Sequence, residues 1–366
     1  MMLFSLGTRP DIIKMAAVIE EAKRRGVEFV LVHTGQHYDW EMSKSFFKEL
    51  KLPDPDYNLG VRSGSHGEQT AKIIVRFEKV LTKEGPDIVV VDGDTNSAMG
   101  CSIAATKLKI PVGHVEAGCR SFDKTMPEEI NRIIISDLAK VHFAPTRNCV
   151  SNLLSEGIEK KSIFLTGHPL VDLLEKLKPK IGTKLTNQYR ISPRGFYVIT
   201  LHRDFNTDNK DRLKEILVAL REIATKKPVI FPIHPRTRKM IREFGLQSLL
   251  GNITTLEPVG YLEMLDLIKN ARAVLTDSGG IQQEAAILGT PCMTLRENTE
   301  WIETLSSSSN VLVGASLKKI TETTRRLDSK YEAALKNMKN KHIFGKKGAS
   351  KRIISLIVKS VNSDKT

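Results

Sequence analysis

Residues 1–26, MMLFSLGTRPDIIKMAAVIEEAKRRG, carry one complete strand–loop–helix unit. Residues 2–6 form a short apolar run, Gly7-Thr8-Arg9-Pro10 breaks it, and residues 10–23 place apolar side chains at helical spacing until Gly26 stops the helix. The unit recurs. Apolar strands are predicted at 29–33, 87–91, 112–115, 141–144 and 163–165, with helices at 40–51, 68–83, 96–108 and 127–140. The last of these opens on Pro127 beside two carboxylates, a good helix N-terminus. Short apolar strands alternating with helices predict a parallel sheet covered on both faces. The second half repeats the theme, with strands at 196–201, 229–233, 253–256, 273–276 and 292–295.

At 366 residues the chain exceeds one ordinary core. The polar stretch 178–194, with Pro179, Gly182 and Pro193, is the expected junction. The fold class is therefore α/β: two doubly wound Rossmann-like domains, 1–180 and 181–348, facing across a cleft, with an amphipathic stretch at 350–361.

No apolar run approaches the ~20 residues needed to cross a bilayer, and the N-terminus lacks the basic start of a signal peptide. No membrane partner is expected. Cys101, Cys119, Cys149 and Cys292 are scattered, without a CxxC pair. That argues against zinc and against a disulfide framework, and fits a reducing, cytoplasmic compartment. The net charge of +14 raises a nucleic-acid reading. The basic clusters, such as Lys23-Arg24-Arg25 and Arg236 to Lys239, lack interleaved aromatics or a nucleic-acid motif. A solvated basic surface that also attracts an anionic small molecule explains them better.

In open parallel sheets ligands bind beyond the C-terminal strand ends. Those ends read Gly7-Thr8-Arg9-Pro10, His33-Thr34-Gly35-Gln36-His37, Asp92-Gly93-Asp94-Thr95 and Glu116-Ala117-Gly118 in the first half. In the second they read His202-Arg203, His234-Pro235-Arg236 and Asp277-Ser278-Gly279-Gly280. Packing alone does not produce so many polar endings. Ser278-Gly279-Gly280 opens a helix that carries Glu284, which suits a phosphate at the helix N-terminus and a ribose on the carboxylate, or equally an ordinary tight turn. Gly7 to Pro10 offers the same geometry, with Arg9 in reach of a diphosphate and Lys14 one turn on.

There is no GxGxxG after a strand and no GxxxxGK[ST], so a dinucleotide cofactor and P-loop chemistry are not expected. A nucleotide here is a substrate. Asp94, Glu116 and Glu128 stand at the mouth of the first sheet, with Arg132 one turn beyond Glu128. Each carboxylate has a bland alternative: Asp94 as a helix cap, and Glu128 or Glu129 as a dipole partner. Several acid–base groups beside an anion clamp is the functional one, and His202 is placed to donate to a leaving diphosphate.

Six stretches, taken in order, resemble the non-hydrolysing UDP-N-acetylglucosamine 2-epimerases: G-T-R-P-D-I-I-K at 7–14, T-G-Q-H at 34–37, G-D-T-N at 93–96, H-V-E-A-G-C-R at 114–120, P-E-E-I-N-R at 127–132 and T-D-S-G-G-I-Q-Q-E at 276–284. The resemblance implies a GT-B-like fold, a homodimer, an interdomain active site, and a C-terminal helix (349–366) packed back on the first domain. It implies no metal and no cofactor, and a UDP-sugar as the ligand. It puts Arg9 and His202 near the diphosphate, with Lys14 also in the site. Asp94, Glu116, Glu128 and Arg132 fall in the catalytic group. Ser278, Gly279, Gly280 and Glu284 bind phosphate and ribose. Gln36, His37 and His234 match a second, allosteric UDP-N-acetylglucosamine site of some members. Three departures stand out: Asp204-Phe205-Asn206 after His202-Arg203, Trp301 where a substrate-side arginine is usual, and Gly167-His168 in place of Gly-Asn.

The expected chemistry follows from the substrate. C2 of the sugar is not beside a carbonyl, so its proton becomes removable only as the C1–O bond to UDP breaks. A carboxylate then takes the proton, another acid returns one to the opposite face, and UDP re-adds at C1. Competing readings are a 2-epimerase of a related UDP-2-acetamido sugar, a glycosyltransferase of the same fold, a hydrolysing epimerase and a non-enzymatic nucleotide-sugar sensor.

Overall fold

The computed structural model describes residues 1–36, 40–338 and 342–363. His37 lies outside the described residues. The chain divides into two compact units, Met1–Lys176 with Phe344–Thr366, and Leu177–Ile343.

The first unit is built on seven parallel strands: β1 (Met2–Leu6), β2 (Phe29–His33), β3 (Tyr57–Asn58), β4 (Ile88–Asp92), β5 (Val112–Val115), β6 (Val141–Ala144) and β7 (Ile163–Leu165), ordered β3-β2-β1-β4-β5-β6-β7. Every residue of β1 and β4 is buried, as a strand covered on both faces requires. Leu3, Val89 and Val91 pack with Ile73 and Phe77 of the helix His66–Glu84. The strand order reverses between β1 and β4. That switch point sets Gly7 to Lys14 beside Asp92 to Asn96 at the carboxyl edge, where open sheets bind ligands. The approach is close: a Cβ on Gly7 would sit 2.0 Å from Ser97 Oγ.

The second unit carries β8 (Tyr197–Thr200), β9 (Val229–Pro232), β10 (Thr254–Leu256), β11 (Ala273–Thr276), β12 (Cys292–Thr294) and β13 (Asn310–Leu312), ordered β10-β9-β8-β11-β12-β13 and all parallel. Its switch point lies between β8 and β11 and brings His202 beside Asp277.

The expected junction at 178–194 is structured instead. It holds a 3-10 turn at Lys178–Lys180 and a short helix, Lys184–Gln188, whose Leu185 is buried and whose Leu185 N–H donates to Asp266 at 2.9 Å. The polar composition hides two apolar anchors, Ile181 and Leu185. At the other end, Phe344 accepts the His168 N–H at 2.9 Å, and Asp172 accepts the N–H groups of Gly348 and Ser350 at 2.5 and 2.8 Å. These bonds return the chain to the first unit at 344 rather than 349. The helix Ala349–Ser363 then buries Ile353, Ile354 and Ile357, and Arg25, at the C-terminal cap of the helix Arg9–Arg24, donates to its Ser355 Oγ at 2.8 Å.

Candidate functional site

In the first unit the carboxyl edge gathers an ionic chain. Lys14, on the buried face of the helix Arg9–Arg24, sets Nζ 2.7 Å from both Glu116 oxygens and 4.0 Å from Asp92. His168 Nε2 lies 2.6 Å from Glu116 Oε2. Glu116 follows β5 with φ +66°, in the left-handed region, which costs a non-glycine residue ~1–3 kcal/mol and persists only where its surroundings fix it. Burial by itself would lift the Glu116 carboxyl. The Lys14 ammonium and the His168 hydrogen bond outweigh it and hold Glu116 far below the usual range. Burial also opposes charge on Lys14, but Glu116, Asp92 and Asp94 overcome it and keep the ammonium protonated.

Asp94 behaves oppositely. Its carboxyl is raised, burial being the main cause, with Arg132 and Lys14 only partly offsetting it. The two environments push two neighbouring carboxyls apart, which is how acid and base roles separate. Asp94 is not the cap of the helix Asn96–Lys107: Thr95 is, accepting the Ala98 N–H at 3.1 Å. Its carboxylate pairs instead with Arg132 Nη2. Of the two glutamates opening the helix Pro127–Leu138, Glu129 is the structural one. It is buried and accepts from Ser121 N–H and Phe122 N–H at 2.9 and 3.0 Å and from Arg132 Nη1 at 2.8 Å. Glu128 stays half-exposed.

Two expected anion-binding roles change here. Lys14 and Arg132, expected to bind substrate, are counter-ions: Lys14 of Glu116, Arg132 of Asp94 and Glu129. The Gly7 and Thr8 N–H groups, expected to meet phosphate, donate to Asp11 Oδ2 at 2.9 and 3.1 Å. Arg9 is exposed, its guanidinium 5.8 Å over the Phe46 ring. Gln36 is buried, its Oε1 accepting from Ser97 N–H at 2.9 Å and Ser97 Oγ at 2.7 Å, so it braces the start of the next helix.

In the second unit Asp277 is fully buried at the end of β11. It accepts the backbone N–H groups of His202 and Arg203 at 3.1 and 3.0 Å, and its Oδ1 lies 3.1 Å from His202 Nδ1. Burial would raise the Asp277 carboxyl, but His202 and these N–H groups hold it low. An ionised Asp277 accepts a hydrogen bond from His202 Nδ1–H and leaves Nε2 facing away from it. His234, 5.8 Å away between ring centroids, uses its own Nδ1 to accept the Arg236 N–H at 3.3 Å.

Ser278 caps the helix Gly279–Leu288, accepting the Ile281 N–H at 3.5 Å, and Gly279 and Gly280 supply first-turn N–H groups of the kind that bind anions. A Cβ on Gly279 would fall 2.3 Å from Glu300 Oε1, so packing demands glycine there. A Cβ on Gly280 meets nothing nearer than 3.9 Å, so packing does not. Glu284 is buried in the same helix. Trp301, expected on the substrate side, is 1% exposed, with Nε1 3.4 Å from the Cβ position of Gly279. It is a buttress beneath the turn.

Asp92, His168 and Asp277 were not among the expected site residues. Asp277 sat inside a quoted motif and His168 was visible only as a departure from Gly-Asn. Asp92 had been placed just beyond its strand; it is the last residue of β4, fully buried, and its carboxyl is lifted well above the usual range by burial. Among the described residues no group of three or more His, Cys, Asp or Glu side chains is arranged to hold a metal ion.

Fold and side chains together define a GT-B-like α/β protein with a buried cluster of carboxylates and cations on one unit and a glycine-rich helix start on the other. The family model for UDP-N-acetylglucosamine 2-epimerase matches residues 20–358. A UDP-N-acetylglucosamine 2-epimerase of Methanocaldococcus jannaschii is 46% identical over 363 residues, covering 96% of this chain and 97% of the relative. A UDP-2,3-diacetamido-2,3-dideoxy-D-glucuronate 2-epimerase of Pseudomonas aeruginosa is 42% identical over 324 residues, covering 87% and 90%. The crystal structure of the M. jannaschii enzyme with UDP-GlcNAc and UDP superposes with a TM-score of 0.88 at 44% identity, covering 98% of this chain and 99% of that one. The chain belongs to the UDP-N-acetylglucosamine 2-epimerase family.

Two outcomes are expected. Trp301→Arg puts a charge into a filled site and should cost on the order of 3–5 kcal/mol, as loss of a buried tryptophan does; denaturant melts of the variant measure it, and unchanged stability would return Trp301 to the substrate side. Glu116→Gln strips the buried Lys14 of its partner, worth about 3–5 kcal/mol. Because the folded-state carboxyl is depressed, its contribution is present above the unfolded value and lost as pH falls through the folded one. The stability gap between wild type and Glu116→Gln should therefore be widest above about pH 5 and narrow toward acid. Melts across that range check the sign.

Proposed function

We propose that the protein interconverts UDP-N-acetylglucosamine and UDP-N-acetylmannosamine by eliminating and re-adding UDP. The observation that carries this reading is the pair of carboxylates at one sheet edge, Glu116 between Lys14 and His168 and Asp94 against Arg132, the first held ionised and the second lifted by burial. In the first step the C1–O bond breaks, its electrons leave with UDP, and C2–H gives up its proton to a carboxylate, leaving a C1=C2 double bond. In the second, a proton returns to the opposite face of C2 and the UDP oxygen closes on C1. The sum is redox-neutral, so no hydride carrier is needed.

Asp94 exchanges the proton, its raised carboxyl suiting a group that must be both acid and base. Half-exposed Glu128 serves the opposite face. Glu116 stays ionised and meets the positive charge that develops at C1 as the bond lengthens. For a diphosphate the second unit offers His202, which as an imidazolium held by Asp277 donates from Nε2, and the Gly279–Gly280 amides at a helix N-terminus. The absence of a packing reason for Gly280 supports close approach of a phosphate there. Arg9 adds an exposed cation, and Glu284 the ribose contact. A second, allosteric nucleotide-sugar site, for which the resemblance named Gln36, His37 and His234, has less support: Gln36 is occupied bracing Ser97 and His234 capping a helix. The homodimer enters the proposal with it, Phe122, Ile130 and Ile133 being exposed apolar residues of the first unit.

The 42% identity to an epimerase of a diacetamido uronate keeps a second substrate in view, a UDP-2-acetamido sugar modified at C3 and C6. Incubation of the pure protein with each UDP-sugar alone, followed by proton NMR, separates the readings. The expected product is UDP-N-acetylmannosamine at equilibrium with its epimer, formed without added metal or nicotinamide. Free N-acetylmannosamine with UDP would indicate a hydrolysing enzyme, and conversion of the uronate alone would move the substrate. Asp94→Asn and Glu128→Gln should each lower turnover roughly 10²–10⁴-fold with the fold intact; near-wild-type rates in both would remove the assigned roles.

A further inference from the structure

His168 is wholly buried and meets the site at Glu116. Its two nitrogens are committed differently. Nδ1 accepts the Leu170 N–H at 3.0 Å, two residues on, across Pro169 at the start of the helix Pro169–Leu177. A nitrogen that accepts an amide proton carries none itself, so the ring proton sits on Nε2, which faces Glu116 Oε2 at 2.6 Å. The same His-Pro device occurs at His234-Pro235-Arg236, where it caps a helix. The Phe344 ring meets the His168 ring edge-on at 5.9 Å. The charged groups around the pair are Lys14, Asp92 and Asp94 on the Glu116 side, and Asp172, one turn along the helix from His168.

We propose that His168 is a positioning residue for Glu116: a neutral imidazole, locked as the Nε2–H tautomer by the Leu170 amide, that donates one permanent hydrogen bond to the carboxylate. Lys14 alone straddles both oxygens and would let the carboxylate turn about its axis. The bond to Oε2 removes that freedom, while the left-handed backbone at Glu116 fixes where the side chain starts. A neutral donor also orients the carboxylate without adding a second full charge, which would weaken the field Glu116 presents to the sugar. The reading rests on the epimerase proposal only for its effect on turnover.

His168→Gln and His168→Leu test it. Both lose the acceptor for Leu170, but the glutamine amide reaches the Nε2 position and still donates, so the difference between them isolates the bond to Glu116. His168→Leu should lower kcat roughly 10–100-fold with KM for UDP-N-acetylglucosamine within about threefold, the cost of a misplaced group, and His168→Gln should restore most of it. With 13C-labelled glutamate, the Glu116 carboxyl (identified by its loss in Glu116→Gln) should titrate at higher pH in His168→Leu than in wild type or His168→Gln. In the wild type, two-bond 1H–15N spectra should show His168 as the neutral Nε2–H form through the active pH range, a readout that needs neither variant to fold. Equal kcat in both variants, an unmoved Glu116 titration, or an imidazolium at His168 would overturn the proposal. The two spectroscopic arms require no turnover, so an inactive wild type would defeat the epimerase reading and leave this one standing on them.

Discussion

The ion pair between Lys14 and Glu116 is the constraint on which the first unit's site depends. An ionised carboxylate has no place among the buried ends of β1, β4 and β5 unless a cation comes with it, because the penalty for burying a lone charge exceeds what one domain can absorb. Lys14 supplies that cation from the first helix, 102 residues away in sequence. The pair in turn decides the state of its neighbours. With Lys14 spent on Glu116, Asp92 and Asp94 are left with weaker compensation and their carboxyls rise. A fixed anion and two carboxyls raised by burial thus stand within a few side chains of each other.

Topology makes the pairing available. In each sheet the strand order reverses beside the first strand, between β1 and β4 and again between β8 and β11. The first reversal opens a gap that admits Lys14, Asp92 and Asp94; the second admits His202 and Asp277. The two units solve the same problem with opposite charge. The first concentrates carboxylates around two captive cations. The second buries one aspartate and turns the resulting order outward as a histidine and a glycine-rich helix start, which suits an anion.

Much of this was legible beforehand, and the failures have particular causes. Most strands, at 3 to 5 residues, read as apolar runs, whereas the edge strand β3, at 2 residues, is too short to carry a pattern and β13 opens on the polar Asn310 straight after Ser306 to Ser309. The polar residues flanking the strand ends are legible in the sequence as a set, but their partners are not. Spacing along the chain cannot say that Asp11 folds back to occupy the amides of Gly7 and Thr8, or that Arg132 faces Asp94 rather than solvent. Glu128 and Glu129 are neighbours with the same chemistry, and only the turn at Ser121 and Phe122, which reaches Glu129, separates them. Trp301 and His168 were noticed as departures from the family pattern. Their burial, which decides that one packs beneath a turn and the other meets Glu116, depends on contacts far away in sequence.

The claim at the centre of this account is that C2–H breaks and re-forms through protein carboxyl groups that exchange with water. Turnover of UDP-N-acetylglucosamine in deuterium oxide, stopped at successive times and read by proton NMR, tests it most directly. The account requires deuterium at C2 of the UDP-N-acetylmannosamine formed, and, on longer incubation, at C2 of the recovered starting sugar as well. Product that keeps its C2 protium through many turnovers would contradict it.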